Sequence, residues 1–530
     1  MKPTLCLIRA AARLALLALC LAAAFAVPAI AADADHGAAE HVVVLVWDGM
    51  RPDFITPQYA PTLAKMAREG VFFKNHHPVF PSSTEVNGTA LATGVYPNRS
   101  GILANSEHRP ELSYMGSVAT EGLDNIRRAD LLSHGHYLLC PTLPEMLQKA
   151  GIPTVIAGTK AVVILQDRSA KRTGKAEAES AVLFAGQTIP KSLLKSLEED
   201  AGGKFPTSGS APNIERDAWT TKAVVKGLWK DGVPKYTLLW LSDPDATQHA
   251  EGVGSDQAQA AVASVDKCLD EVLKALDEEK LRDKTDVFVV SDHGFSNIQR
   301  GPDVVEALKK AKFKAYRRFD DPEPGDILVV ALGGADMFYV ADHNEDSTRK
   351  LVEFLQGSDF AGVIFSRVEI EGTFPLEAVR LNGTQAMPDV VISMRWTDDA
   401  VDGTAPGLIM ADGGTRGKGM HGSLGRTDMH NTLVACGPDF RRGVIDEWPS
   451  GNVDLVPTVL WILGVAPTQP LDGRVLHEAL AKSRVTPPAA ETKTLEASRA
   501  LGWYRWHQYL KVTQVGQTVY FDEGNGGPSR

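Results

Sequence analysis

Three short apolar runs, each leading into a carboxylate, constrain this chain more than any other feature. Residues 42–47 run into Asp48, residues 236–241 into Asp243 and Asp245, and residues 287–290 into Asp292 and His293. Continuous β-branched and apolar runs of this length read as strands buried on both faces, as in a parallel sheet. Apolar residues at helical spacing lie between them, over 62–69, 143–150 and 257–276. Alternating strands and helices predict an α/β sandwich around a mostly parallel central sheet. Ligands of such sheets bind beyond the carboxyl ends of the strands. One aspartate after a strand is ordinary turn chemistry, but three of them, two with a histidine close by, predict a shared site.

The 530 residues are 44% hydrophobic and 23% charged, enough to bury a sizeable core. The formal charge of −11 gives no basic footprint, so no nucleic-acid-binding surface is expected. Lys2, Arg9 and Arg13 precede and flank an apolar run over 14–27, with small residues up to Ala32. That order predicts a cleavable signal peptide over 1–32 and a periplasmic or secreted protein. No other apolar stretch is long enough for a span, so the mature form is expected to have no stable membrane anchor. Cys140, Cys268 and Cys436 are too widely and irregularly spaced for a disulfide framework or a thiolate metal site.

The catalytic core is expected over 41–296 and 416–482. A loop-rich segment over 297–415 interrupts it and reads as an inserted cap. The core resumes with His421, an apolar run over 432–435 and a helix over 455–463. A C-terminal extension over 483–530 follows, with alternation suggesting a hairpin over 512–521.

The chemistry-bearing residues fall in five segments: Asp48-Gly49, Thr84 with Asn87, Asp245 with His249, Asp292-His293 and His421-Gly422. Imidazole and carboxylate suit zinc, with manganese or iron as options. Six such ligands are too many for one tetrahedral ion and fit two divalent ions. A pair of metals can clamp the attacking and leaving oxygens of an in-line phosphoryl displacement. Taken singly, Thr84 reads as a helix N-cap, Ser82 and Ser83 are rival hydroxyls, and Asp243 is a rival to Asp245.

Read in order, these segments resemble the nucleotide pyrophosphatase/phosphodiesterase family of the alkaline phosphatase superfamily. The likeness is carried by Trp47-Asp48-Gly49-Met50-Arg51-Pro52-Asp53, Phe80-Pro81-Ser82-Ser83-Thr84-Glu85-Val86-Asn87, Asp243-Pro244-Asp245-Ala246-Thr247-Gln248-His249, Ser291-Asp292-His293-Gly294 and Gly419-Met420-His421-Gly422. It implies an alkaline-phosphatase-like core and a metal-dependent phosphoric ester hydrolase acting on small phosphate esters. It also implies one metal held by Asp245, His249 and His421, and another by Asp48, Asp292 and His293 with Thr84 touching it. Thr84 would then attack phosphorus, form a phospho-threonine and be released by metal-bound hydroxide. Asn87 would donate a hydrogen bond to a phosphoryl oxygen.

The chain also departs from the resemblance. Glu85 and Val86 stand where nucleotide-cleaving members carry a stacking aromatic, and Gln248 stands where glycine usually precedes the histidine. Lys160 and Arg168 resemble the basic pair of related phosphate monoesterases and are the candidate substrate-binding cations. They make a monoesterase the alternative to a diesterase. A phosphonate hydrolase and a non-catalytic binding protein on the same scaffold are more distant alternatives.

Overall fold

The computed structural model describes residues 36–207, 209–400 and 404–529. The signal peptide read over 1–32 lies outside these described residues. Nine strands form the main sheet. In chain order they are β1 (His41–Trp47), β2 (Val71–His77), β3 (Thr154–Gly158), β4 (Ala181–Phe184), β5 (Gln187–Ile189), β6 (Tyr236–Leu241), β7 (Thr285–Val290), β8 (Leu433–Cys436) and β9 (Val444–Gly451). Across the sheet the order is β9-β2-β8-β7-β1-β6-β3-β4-β5. β7, β1, β6, β3 and β4 run parallel. β8 runs antiparallel to β7 and β2, and β5 to β4. The fold is therefore the α/β sandwich with a mostly parallel sheet that the three apolar runs imply.

Those runs are β1, β6 and β7, and they are neighbours at the centre of the sheet. Every residue of β6 and β7 is buried, as are residues 42–47 of β1. Side chains alternate between the two faces of a strand. Val42, Val44 and Val46 pack on one side with Leu91, Val456 and Leu460. Val43, Leu45 and Trp47 pack on the other with Val265, Leu269 and Val272. The helices that supply these partners are α2 (Thr84–Thr93), α5 (Asp256–Glu278) and α6 (Leu455–Ile462). α1 (Pro61–Glu69), α3 (Leu143–Lys149) and α4 (Asp245–Glu251) complete the set used below.

Between β7 and β8 the chain builds a second, largely antiparallel sheet of six strands, drawn from residues 315–394. A small four-stranded sheet joins residues 296–300, 396–397, 408–410 and 419–420. Its Ser296–Met420 pairing returns the chain to the main sheet just before His421.

The C-terminal extension is a three-stranded antiparallel sheet, β10 (Ala490–Leu501), β11 (Tyr504–Val515) and β12 (Thr518–Ser529). The expected hairpin over 512–521 is only its last turn. β10 escaped notice because it is mostly solvent-exposed and shows no apolar alternation. This sheet clasps both halves of the structure. Gln508 accepts from the Ile364 N–H at 2.8 Å and donates to the Ile364 carbonyl at 3.1 Å. Tyr520 donates to Asp454 at 2.8 Å, next to α6. Cys140, Cys268 and Cys436 are free thiols.

Candidate metal centre

Because β7, β1 and β6 are parallel neighbours, the residues following them emerge at one edge. Asp48 follows β1, Asp245 opens α4 after β6, and Asp292 and His293 follow β7. Gly49 makes the turn after Asp48 with φ +68, and a Cβ there would lie 2.8 Å from the Phe295 ring. Its N–H donates to Asp292 Oδ1 at 3.0 Å. Its carbonyl accepts from Gln248 at 3.0 Å. The glutamine that departs from the family pattern therefore ties α4 to the Asp48 turn.

Asp48, Asp292 and His293 bring one ligand atom each into a mutual 4.8 Å, and so do Asp245, His293 and His421. His249 Nε2 lies 3.2 Å and His421 Nε2 3.5 Å from Asp245 Oδ1. The His293 and His421 rings stack with centroids 3.7 Å apart. Each ring is oriented through its Nδ1, which donates to a backbone carbonyl: Gly294 for His293 (2.9 Å), Gly419 for His249 (3.1 Å) and Ser82 for His421 (2.9 Å). A carbonyl only accepts, so the proton sits on Nδ1 and the Nε2 lone pair faces the cluster, as a metal ligand requires.

The carboxylates are divided in the same way. Lys160, at the carboxyl end of β3, places Nζ 2.9 Å from Asp48 Oδ2 and 2.9 Å from Asp245 Oδ2. Trp240 Nε1 also donates to Asp48 Oδ2, at 2.8 Å. Asp48 Oδ1, Asp245 Oδ1 and Asp292 Oδ2 are buried with no hydrogen-bond partner. Buried orphan oxygens are costly. Three of them facing imidazole lone pairs make a donor set that fits divalent cations.

The electrostatics agree. Burial, with Asp245 and Asp292 alongside, pushes the Asp48 carboxyl well above its usual range. Burial raises Asp292 to about 7. For Asp245 burial is outweighed by Lys160 and His249, which hold it well below the usual range. Burial and the neighbouring His293 and His249 push His421 well down, keeping it neutral. Three carboxylates around one ammonium leave an excess of negative charge, which cations would offset.

Thr84 is the first residue of α2, a helix buried along its whole length. Its Oγ1 lies 3.2 Å from His293 Nε2, at the edge of the Asp48 group. Of the rival hydroxyls, only Thr84 is seen to contact a ligand histidine. Ser82 Oγ donates to the Ser423 carbonyl at 2.7 Å, and Ser83 Oγ is buried without a partner. Asp243 is spent on Thr247 and on the Asn213 N–H.

Two expected residues are elsewhere. Asn87 is fully buried, and its amide hydrogens go to the carbonyls of Val79, Pro81 and Ser83, at 3.1 to 3.2 Å. Its Oδ1 accepts from the Val79 N–H and from Asn452. Position i+3 put it on the first turn of α2 as expected, but on the face that holds the 79–83 loop. Arg168 is likewise committed, to Asp130 at 3.1 Å, Glu145 at 3.2 Å and the Gly135 carbonyl at 3.0 Å. A nearly buried guanidinium needs counter-charges, and these lie outside the metal centre.

Sequence reasoning missed Asn105. Its Oδ1 accepts from the Glu85 N–H at 3.1 Å, which anchors the side chain on the second residue of α2. Glu85 directly follows Thr84 in the chain, so this bond holds Asn105 at the start of α2. Nothing in its local sequence marks it. Glu85 itself is buried, and burial together with the facing Glu121 pushes its carboxyl well above the usual range.

Residues 42–423 match the family described as type I phosphodiesterase / nucleotide pyrophosphatase. Human ectonucleotide pyrophosphatase/phosphodiesterase family member 7 is 21% identical over 96% of this chain and 98% of its own length. Human family member 1 is 25% identical over 47% of this chain, and the match spans only 22% of that longer protein. Among solved structures, murine ectonucleotide pyrophosphatase/phosphodiesterase 5, an inactive variant in complex with AMP, superposes with a TM-score of 0.57 at 18% identity. It covers 83% of this chain and 100% of the murine chain. That last likeness is one of fold.

Proposed function

Because the chain belongs to the type I phosphodiesterase / nucleotide pyrophosphatase family and is thus a phosphoric ester hydrolase, we propose that it cleaves phosphodiesters at a dinuclear centre through the Thr84 hydroxyl. The observation that carries this reading is the placement of Thr84 Oγ1 3.2 Å from His293 Nε2, beside the buried orphan oxygens of Asp48 and Asp292.

Asp48, Asp292 and His293 would hold one divalent ion, and Asp245, His249 and His421 the other, with zinc suited to this donor set. When bound, such ions would supply Lewis acidity that lowers the pKa of the Thr84 hydroxyl and offsets charge on the phosphoryl oxygens. The protein's own part is orientation. α2 presents Thr84 with the free N–H groups and positive dipole end of a helix N-terminus toward the phosphoryl oxygens. The Asn105 amide takes the oxygen-donor role expected of Asn87. Thr84 oxygen bonds to phosphorus as the bond to the leaving alcohol breaks. Water then cleaves the phospho-threonine and restores the hydroxyl. Lys160 neutralises Asp48 and Asp245 from the side away from the imidazoles and keeps their Oδ1 atoms aimed inward.

A diester is favoured over a monoester because the two cations that a second phosphoryl charge would need are already engaged, Arg168 with Asp130 and Glu145 and Lys160 with the ligand carboxylates. Glu85 in place of a stacking aromatic favours non-nucleotide substrates. The signal-peptide pattern over 1–32 supports a periplasmic or secreted location.

The test is a zinc-reconstituted enzyme assayed on an aryl phosphodiester. Thr84→Ala should lose about three orders of magnitude in kcat/KM while keeping its metal, and Thr84→Ser should retain part of the activity. Quenched wild-type reactions should yield a phosphopeptide carrying the group on Thr84. A label on Ser82 or Ser83, or a fully active Thr84→Ala, would refute the assignment.

A further inference from the structure

Phe295 is fully buried, two residues beyond His293, and its ring meets all three candidate ligand histidines. Its centroid lies 4.9 Å from that of His249, 5.1 Å from that of His421 and 5.9 Å from that of His293. The first two contacts are edge-to-face, at 71° and 64°. Two glycines of the cluster lie against the same ring. A Cβ at Gly49, next to Asp48, would come 2.8 Å from it, and so would a Cβ at Gly419, two residues before His421. The segments that carry Asp48, His249, His293 and His421 therefore converge on one phenyl group.

The ring's own place is fixed through its backbone. The Phe295 N–H donates to the Thr427 carbonyl at 3.0 Å. The Phe295 carbonyl accepts from Arg51, three residues beyond Asp48, at 3.3 Å. Each imidazole, by contrast, has its Nδ1 bonded to one carbonyl. A single hydrogen bond fixes one point of a ring and leaves its plane free to tilt. Close packing against a rigid neighbour removes that freedom. Groups that orient ligands in this way tune a metal site without touching the ion.

Building on the dinuclear reading above, we propose that Phe295 is the positioning residue of the metal centre, one ring that sets the planes of His249, His293 and His421 together. His249 and His421 belong to one ion and His293 to the other, so a side chain that donates nothing to either couples the two. Loss of a ligand weakens the ion it holds. Loss of the phenyl ring weakens both.

The experiment measures zinc affinity of the full chain by competition with a chromophoric chelator, in wild type, Phe295→Leu, Phe295→Met and Phe288→Leu. Methionine fills nearly the volume of the ring but has no rigid plane. Phe288 is the control, since it is equally buried, lies on β7 and packs its ring on Phe440 at 5.2 Å. Thermal midpoints in excess chelator verify that each variant folds. Phe295→Leu and Phe295→Met should each weaken both zinc ions by about tenfold or more, and should broaden the visible absorption bands of the cobalt(II)-substituted protein. Phe288→Leu should lower the midpoint and leave zinc affinity unchanged. Wild-type affinity in both Phe295 variants, a loss confined to one ion, or an equal loss in Phe288→Leu overturns the positioning role while leaving the dinuclear centre intact. A wild-type protein that takes up one ion or none overturns the dinuclear reading, and the positioning role with it.

Discussion

Asn452 donates one amide hydrogen to Asn87 Oδ1 at 3.0 Å, and its amide also donates to the Asp292 carbonyl at 2.6 Å. Its Oδ1 is held by His76 at 3.0 Å and Asn431 at 3.1 Å. The helix that carries Thr84 is thus bound to the strand end that carries Asp292 through one buried amide. Asn87 works from the other side, closing the 79–83 loop onto α2.

Asn87→Ala should therefore act through stability. It strands the Val79 N–H and carbonyl and an Asn452 hydrogen, while the Pro81 and Ser83 carbonyls keep backbone donors, and is expected to cost about 2–4 kcal/mol. Chemical denaturation with and without zinc checks this. An Asn87→Ala enzyme of wild-type stability with a selective loss in kcat/KM would instead make Asn87 a phosphoryl contact.

The metal ligands make a different prediction. Elemental analysis after zinc reconstitution should give about two ions per chain. His421→Ala and Asp292→Ala should each lower the count, because each removes an inward-facing donor from a different triad. The core strands should stay folded, since both residues lie beyond the strand ends. A wild-type count of one or fewer would refute the dinuclear centre.

How much of this was legible in the sequence follows from what sequence patterns encode. β1, β6 and β7 were readable because a strand buried on both faces must be apolar at every position, while their order in space, β7-β1-β6, carries no mark in the sequence. The candidate ligands Asp48, Asp245, Asp292 and His293 were readable because they follow those strands. Asn87 shows the limit, since spacing gives the turn of a helix and not the face on which loop 79–83 will pack. Arg168 was misread because Asp130 and Glu145, which hold it, are distant in sequence and carry no motif. Asn105 was invisible for the same reason, because it meets Glu85 only after the intervening chain has folded back.

Arg168 and Lys160 separate cleanly on this basis. Arg168→Ala breaks an ion-pair network that is only partly exposed, and should lower stability by about 1–3 kcal/mol. The ratio of monoester to diester efficiency should not move. Lys160→Ala removes the ammonium between Asp48 and Asp245, and should reduce activity on both esters together. A selective loss of monoester turnover in Arg168→Ala would restore the substrate-binding role.

Acid stability should depend on His76. His76 is buried, with Nδ1 against Ser450 Oγ at 2.9 Å and Nε2 against Asn452 Oδ1 at 3.0 Å. Burial pushes its pKa down to about 3, against 6.5 for the ordinary group. Between those two values the unfolded chain binds a proton that the folded protein refuses. The depressed pKa thus contributes no penalty above pH 6.5, and stability is lost as pH falls from about 6.5 toward 3. At pH 5 this one residue accounts for a loss of about 2 kcal/mol relative to pH 8. His76→Gln can keep hydrogen bonds but cannot titrate. It should be less stable than wild type at pH 8 if the fit is imperfect, yet its stability should fall less on acidification to pH 5, by about that same 2 kcal/mol. Denaturant midpoints of both proteins at the two pH values measure the difference. Identical pH dependence in the two proteins would show that His76 is protonated without cost in the folded state.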